Sequence, residues 1–156
     1  MVSSVISNVE VGIVCPPEPI GSTPAPGTIA GATHIIVEEP QFVSVGSVVP
    51  AAIGVGFGVK SQAVDPAGLG AITMVLTHPP MGDAQITLQQ FQTSISGQDP
   101  SLTFYQFDYP YELVEGTWMF TAMQGEQALF SVSFEVVDPL GMPSLAEMCG
   151  YSNLFS

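Results

Sequence analysis

The sequence predicts an all-β protein, a single antiparallel sandwich of about eight to nine short strands. Apolar side chains recur at every second position in many short segments, which is the period of a strand that buries one face. The 16 glycines and 14 prolines among the 156 residues interrupt the chain too often for long helices. Short, evenly spaced strands with turn residues between them are typical of a sandwich.

The predicted strands follow one another along the chain. The segment Asp65 to Gly68 has the composition of a tight turn, and Pro79-Pro80 is expected to end the strand before it. The clearest element is the last one, a hairpin around Gly125-Glu126. The strands are predicted over residues 2–14, 33–37, 42–45, 53–64, 71–77, 85–94, 102–107, 117–123 and 129–137.

Five aromatic side chains are the predicted core. Trp118 and Phe120 share one face of the first arm of the closing hairpin, and Phe130 and Phe134 share one face of its second arm. Phe57 lies on the apolar face of an earlier strand. Since one face of each strand in a sandwich points inward, these rings should meet in the interior.

The chain divides into a domain and a tail. Residues 1–138 form the predicted sandwich, with a proline- and glycine-rich extended arm at 15–32, and residues 139–156 form a C-terminal tail rich in apolar side chains. The tail either docks on its own sandwich or inserts into a groove of a partner. Leu154 and Phe155 are its candidate interface residues.

The charge balance excludes several classes of function. One lysine and no arginine stand against 14 carboxylates, which gives a net charge of −13. Nucleic acids, anionic membrane surfaces and phosphoryl groups all require clusters of positive charge, so none of them is expected as a ligand. Mutual repulsion among the carboxylates should also raise their pKa values on folding.

Three glycines on one face of the strand at 53–64 form a second candidate interface. Gly54, Gly56 and Gly58 alternate with large apolar residues. Glycines on one side weaken a strand unless something large lies against them. Either an aromatic of the same chain, such as Trp118, fills this trough, or another polypeptide docks there.

No catalytic, cofactor or metal site is predicted. His34 and His78 each stand alone, without ligands at a metal-binding spacing. No nucleophile elbow or phosphate loop occurs, and the acidic residues between 99 and 115 lack the spacing of a calcium loop. Cys15 and Cys149 are interpreted as small apolar residues, whose redox state the sequence leaves open.

The predicted location is the cytoplasm, with the periplasm as the alternative if a signal has been removed. Residues 1–15 contain no basic segment of the kind that begins a secretory signal. Residues 41–59 carry no charge, but Pro50 and four glycines prevent a membrane-spanning helix. We therefore expect no membrane insertion.

Four short segments stand out together by their order and spacing. They are Val11-Gly12-Ile13, Val49-Pro50-Ala51-Ala52-Ile53-Gly54-Val55-Gly56-Phe57-Gly58-Val59, Thr77-His78-Pro79-Pro80, and Tyr105-Gln106-Phe107-Asp108 followed by Tyr111-Glu112-Leu113-Val114-Glu115-Gly116-Thr117-Trp118. In this arrangement the chain resembles the bacterial DUF3859 family from about residue 7 to residue 137. The resemblance implies an immunoglobulin-like sandwich with no assigned activity and no catalytic motif to transfer.

The functional hypothesis is a non-catalytic sandwich that acts by protein contact, with a protein partner or as a homo-oligomer. The alternative is a module that binds a small ligand or a carbohydrate on a platform of Tyr105, Tyr109 and Tyr111. An enzyme is the third possibility, and it would require a pocket that gathers a histidine and two carboxylates.

Overall fold

The computed structural model describes residues 2–15, 21–24, 32–35 and 42–141, and the short pieces 21–24 and 32–35 are described by their backbone. These residues form eleven strands and two short 3-10 turns. The strands are β1 (Ile6–Val14), β2 (Gly21–Pro24), β3 (Ala32–Ile35), β4 (Phe42–Val45), β5 (Val48–Pro50), β6 (Gly56–Ala63), β7 (Leu69–Met81), β8 (Ile86–Ile95), β9 (Ser101–Gln106), β10 (Gly116–Gln124) and β11 (Gln127–Val137).

Nine of these strands form two sheets that pack face to face. One sheet has the order β4-β1-β6-β9, and the other has the order β5-β11-β10-β7-β8. All pairs are antiparallel except the pair of β5 with β11. The predicted all-β sandwich is confirmed, with one parallel pair that the alternation of side chains cannot reveal.

The edges of the two sheets meet at both sides of the sandwich. Only Gly46 and Ser47 connect β4 to β5, and a loop over residues 96–100 connects β8 to β9. Each of these connections joins an edge strand of one sheet to an edge strand of the other. Because such short loops cannot cross a sheet, β8 and β9 lie side by side along one margin of the molecule.

The interior is an aromatic cluster centred on Phe57 of β6. Its ring centroid lies 5.0 Å from that of Phe134, 5.5 Å from that of Trp118 and 5.8 Å from that of Phe120. The five predicted core aromatics, Phe130 included, are each at most 1% exposed. Phe57 comes from the four-stranded sheet and the other four from β10 and β11, so the cluster joins the two layers.

Strand β7 continues through the two prolines that were expected to end it. It runs to Met81, and its pairing with β8 shifts between Thr77 and Met81. Its pairing with β10 stops at Thr77, so Pro79 and Pro80 face no partner strand on that side. The prolines therefore remove no hydrogen bond from that ladder, which is why the strand tolerates them.

The sequence also missed strands that are short or outside the sandwich. The three residues of β5 pair in parallel with β11, and β2 pairs with β3 in a separate two-stranded sheet. β2 lies within the proline-rich arm, which was predicted as an extended connection. A strand of three or four residues has too few positions for alternation to be read.

Candidate functional site

The three glycines proposed as an interface are buried. Gly56 and Gly58 lie in β6 between β1 and β9, and Gly54 lies in the turn before β6. A Cβ atom at Gly58 would be 2.0 Å from the carbonyl oxygen of Thr103 and 2.6 Å from the Cα of Phe104. Gly58 therefore allows close approach of β9, and the three buried glycines do not form an open trough.

Phe42 of edge strand β4 covers the neighbouring part of the same face. Its ring lies where a side chain on Gly12 would be, with Cγ 2.6 Å from the ideal Cβ position, and Gly12 pairs with Gly58. The Lys60 ammonium lies 4.8 Å from the centre of the same ring. An aromatic of the chain itself does cover this face, but it is Phe42 and not Trp118, which lies in the core.

Leu154 and Phe155 lie outside the described residues. Cys15, directly after β1, is disulfide-bonded. The sequence contains one other cysteine, Cys149, which also lies outside the described residues. In the structure Cys15 is thus oxidised, a point on which the sequence was silent.

Four polar side chains form a continuous hydrogen-bonded chain under the margin where β8 and β9 meet. His78 comes from β7, Gln89 from β8, Tyr105 from β9, and Glu112 from the 3-10 turn Pro110–Glu112. His78, Gln89 and Glu112 are at most 5% exposed. This polar chain ties together both sheets and the turn that follows β9.

The hydrogen-bond partners fix the direction of each bond. The carbonyl of Pro79 can only accept, so Nδ1 of His78 donates to it over 2.8 Å. Nε2 of His78 then accepts from Nε2 of Gln89 at 3.0 Å, and the same amide group donates to the Tyr105 hydroxyl at 3.5 Å. The Tyr105 hydroxyl donates to Oε2 of Glu112. Histidine is therefore neutral in this arrangement.

Burial governs the pKa values along the polar chain. Desolvation lowers the pKa of His78, against the opposing effect of its hydrogen bond to Pro79. Desolvation raises the pKa of Glu112, although its hydrogen bonds from Tyr105, Asp108 and Tyr109 act in the opposite direction. Burial and the charge of Glu112 raise the pKa of Tyr105. For Glu112, burial is thus the main cause of the raised pKa, rather than the mutual repulsion expected from the net charge.

Glu112 also organises the turn after β9. Its Oε1 accepts the backbone N–H groups of Asp108 and Tyr109, each at 2.8 Å. Pro110 occupies the first position of the 3-10 turn, where its missing N–H is not needed. The glutamate three residues after the residue that begins the turn is one half of a capping box, but Tyr109 stands where the signature has a serine or threonine. In the sequence, Glu112 was therefore considered only among the acidic residues between 99 and 115.

The turn presents two tyrosines to solvent. The rings of Tyr109 and Tyr111 are stacked with 5.5 Å between centroids and 5° between planes. They are 49% and 39% exposed, respectively. Tyr105, the third tyrosine of the predicted platform, instead points inward and lies 5.4 Å from Trp118. The platform is therefore a pair, not a row of three.

The described residues do not gather a histidine with two carboxylates, the arrangement that an enzyme would require. One carboxylate, that of Glu112, joins His78, and it does so only through Gln89 and Tyr105. Within the described ranges, no group of three or more His, Cys, Asp or Glu side chains is placed to hold a metal ion. The polar chain satisfies its own donors and acceptors.

Strand β8 is the longest edge strand of the sandwich. It has ten residues, and its sequence ITLQQFQTSI contains neither a charged residue nor proline. Gln89 and Ile95 point inward and are buried, whereas Leu88, Gln90 and Gln92 are exposed on the outer face. The other edge strands, β4, β5 and β9, also carry no charged residue. The charges of this strongly acidic chain are thus kept off all four edges.

A family model described as a domain of unknown function, DUF3859, matches residues 2–136. The chain belongs to the DUF3859 family. The segments that suggested this resemblance all lie in the part of the DUF3859 domain that the structure describes, in or next to β1, β5, β6, β7, β9 and β10. No curated protein matches the chain.

The DUF3859 sandwich is similar to a solved structure, an immunoglobulin-like protein from Pseudomonas aeruginosa. The TM-score is 0.57 and the sequence identity is 20%, over 84% of this chain and 93% of that one. At this identity the likeness shows the fold alone. The domain is therefore an immunoglobulin-like sandwich, as the sequence resemblance implied. None of its described helical segments is long and apolar enough to span a membrane.

Proposed function

We propose that this DUF3859 protein is a non-catalytic domain that binds another polypeptide by adding a strand of that polypeptide to the edge strand β8. The observation that carries the proposal is the ten uncharged residues of β8, which is the last strand of the five-stranded sheet and, among the described residues, pairs only with β7. An edge strand offers backbone N–H and C=O groups to a further strand.

The length of β8 and its lack of lysine and proline support this use of the edge, although its pairing with β7 has two register shifts. Soluble proteins blunt long edges with lysine, proline, bulges or short strands, because an open edge pairs with any extended chain. β4 and β5 are blunted by their lengths of four and three residues, but β8 is not short. Leu88, 48% exposed on the outer face, gives an incoming strand an apolar contact.

The non-catalytic part of the proposal rests on how the titratable side chains are used. His78 and Glu112 are buried, and their hydrogen bonds are made to neighbours in the same domain. A general base must reach a proton of the substrate. Groups that are already bonded and buried serve to join the two sheets instead.

Site-specific photo-crosslinking tests strand addition at β8. A benzophenone amino acid is placed at Leu88 in one variant and at Val64 in a matched control, since Val64 is exposed to 58% but lies in the loop before β7. We expect one defined polypeptide, or a second copy of the chain, to cross-link at Leu88 and not at Val64. Binding of that polypeptide should then slow hydrogen exchange of β8 amides. Equal cross-linking at both positions, or none at Leu88, contradicts the proposal.

A second candidate function is the binding of a small ligand at the exposed rings of Tyr109 and Tyr111. These two rings are stacked in parallel with 5.5 Å between their centroids, and they are two of the three tyrosines of the expected platform. A glycan array with the wild type and with Tyr109→Leu examines this function for carbohydrates. Glycan binding that is lost in the variant supports this function, and the absence of glycan binding by the wild type contradicts it for carbohydrates.

For the compartment, the disulfide of Cys15 supports the periplasmic alternative over the cytoplasm. Disulfides persist in oxidising compartments, whereas cytoplasmic thiols are kept reduced. Thiol labelling in intact cells with a maleimide that adds mass distinguishes the two. Protein that takes up the label only after reduction supports the periplasm.

A further inference from the structure

The exposed tyrosine pair stands on a turn that is fixed before any ligand arrives. Both oxygens of the buried Glu112 carboxylate are bonded, Oε1 to the N–H groups of Asp108 and Tyr109 and Oε2 to the hydroxyl of Tyr105. Pro110 restricts the backbone between the two rings. A ligand therefore binds without having to order the loop, which removes one of the usual costs of binding.

The electrostatic surroundings of the pair favour a cation. After burial, the largest cause of the raised pKa of Tyr111 is the charge of Glu112, and the charge of Asp108 acts in the same direction. These carboxylates disfavour further negative charge at the ring. The face of a tyrosine ring attracts cations by its quadrupole, so the rings and the carboxylates act together.

The shape of the pair favours a planar cation. With only 5° between their planes, the two rings present parallel faces onto which a flat group can stack. A guanidinium is planar and weakly hydrated and stacks on aromatic faces, whereas an ammonium is compact and strongly hydrated. A sugar platform would gain from a third open ring, but Tyr105 is turned inward.

We propose that Tyr109 and Tyr111 form a binding site for a guanidinium group, that of an arginine side chain of a partner polypeptide. The net charge of −13 makes a basic partner the complementary one. The site lies on the turn after β9 and not on β8. The proposal of a guanidinium site can therefore be confirmed or contradicted independently of the strand addition proposed above.

The test is a titration followed by two-dimensional NMR, with N-acetyl-arginine methylamide as the probe and the neutral citrulline analogue as its control. We expect the arginine probe to shift the backbone signals of residues 108–112, and the citrulline probe to leave them in place. The affinity should fall about three- to tenfold in Tyr111→Leu, which keeps every charge of the protein. Tyr111→Phe keeps the ring face and should bind as the wild type does.

Several results would overturn the guanidinium site. One is equal binding of citrulline, which would show that charge is irrelevant. Another is unchanged affinity in Tyr111→Leu, which would show that the probe is attracted only by the general negative charge. Should Tyr111→Leu fail to fold, judged by its NMR spectrum, Tyr109→Leu is read by the same criteria.

Discussion

The hydroxyl of Tyr105 donates a hydrogen bond to the buried carboxylate of Glu112, and this bond connects an edge strand to the turn that carries the exposed tyrosine pair. Tyr105 also accepts from Gln89 on the opposite sheet. One phenol of β9 is therefore bonded both to β8 and to the turn that follows β9. It also holds the surface turn against the body of the sandwich.

Replacement of Glu112 is expected to separate the two roles of its carboxylate, hydrogen bonding and charge. Glu112→Ala leaves two backbone N–H groups and the Tyr105 hydroxyl without their acceptor, so the free energy of unfolding should fall by about 2 to 4 kcal/mol. Glu112→Gln keeps an acceptor oxygen and should change it by less than about 1 kcal/mol. Urea unfolding at neutral pH measures both, and equal losses would count against the assigned bonds.

His78 and Glu112 should contribute to the pH dependence of stability with opposite signs. Since burial lowers the pKa of His78, the native state binds fewer protons than the unfolded state, and stability falls as pH drops below the ordinary value of 6.5. His78→Gln should remove this loss, so its melting temperature relative to wild type should increase on acidification through that range. Parallel melting curves for the two proteins would contradict the buried neutral histidine.

Burial has the opposite consequence for Glu112. Its raised pKa means that the native state binds more protons, so this group lowers stability as pH rises from the ordinary value of 4.5 through the raised one. Glu112→Gln carries no titratable group at this position. The difference in unfolding free energy between Glu112→Gln and wild type should therefore shift in favour of the variant as pH rises over that interval.

Gly58 of β6 is expected to be intolerant of any side chain. Gly58→Ala places a methyl group against the backbone of β9, where the ideal Cβ is 2.0 Å from the Thr103 carbonyl oxygen, and should lower the free energy of unfolding by about 3 kcal/mol. Gly70→Ala is the matched control, because Gly70 is an exposed strand glycine with no atom near its ideal Cβ. Thermal unfolding compares the two, and similar melting temperatures would refute the close approach.

Salt should stabilise this protein. With one lysine against 14 carboxylates, repulsion dominates the long-range electrostatics of the folded state, and salt screens it. The melting temperature near neutral pH should rise on addition of NaCl to about 0.5 M. The rise should shrink at acidic pH, where the carboxylates are protonated. A melting temperature that drops with NaCl at neutral pH would oppose this expectation.

Features that depend on local order could be predicted from the sequence, whereas features that depend on strand pairing could not. The alternation in the closing hairpin placed Trp118, Phe120, Phe130 and Phe134 on inward faces, because a strand fixes side-chain direction by position alone. The prediction that Pro79 and Pro80 end the strand was wrong. A missing backbone N–H matters only where a neighbouring strand would accept its hydrogen bond. That neighbour, β10, begins 36 residues after Pro80, at Gly116.

By itself, the sequence determined the all-β class, the inward faces of the strands, the strongly acidic surface and the family. Each of these follows from composition, local order or period. The tertiary structure alone decided that Phe42 rather than Trp118 covers the glycine face, and that His78, Gln89, Tyr105 and Glu112 join in one polar chain. It also decided that β8 is an edge. These relationships depend on how strands pair and pack with one another, which the local period of each strand does not contain.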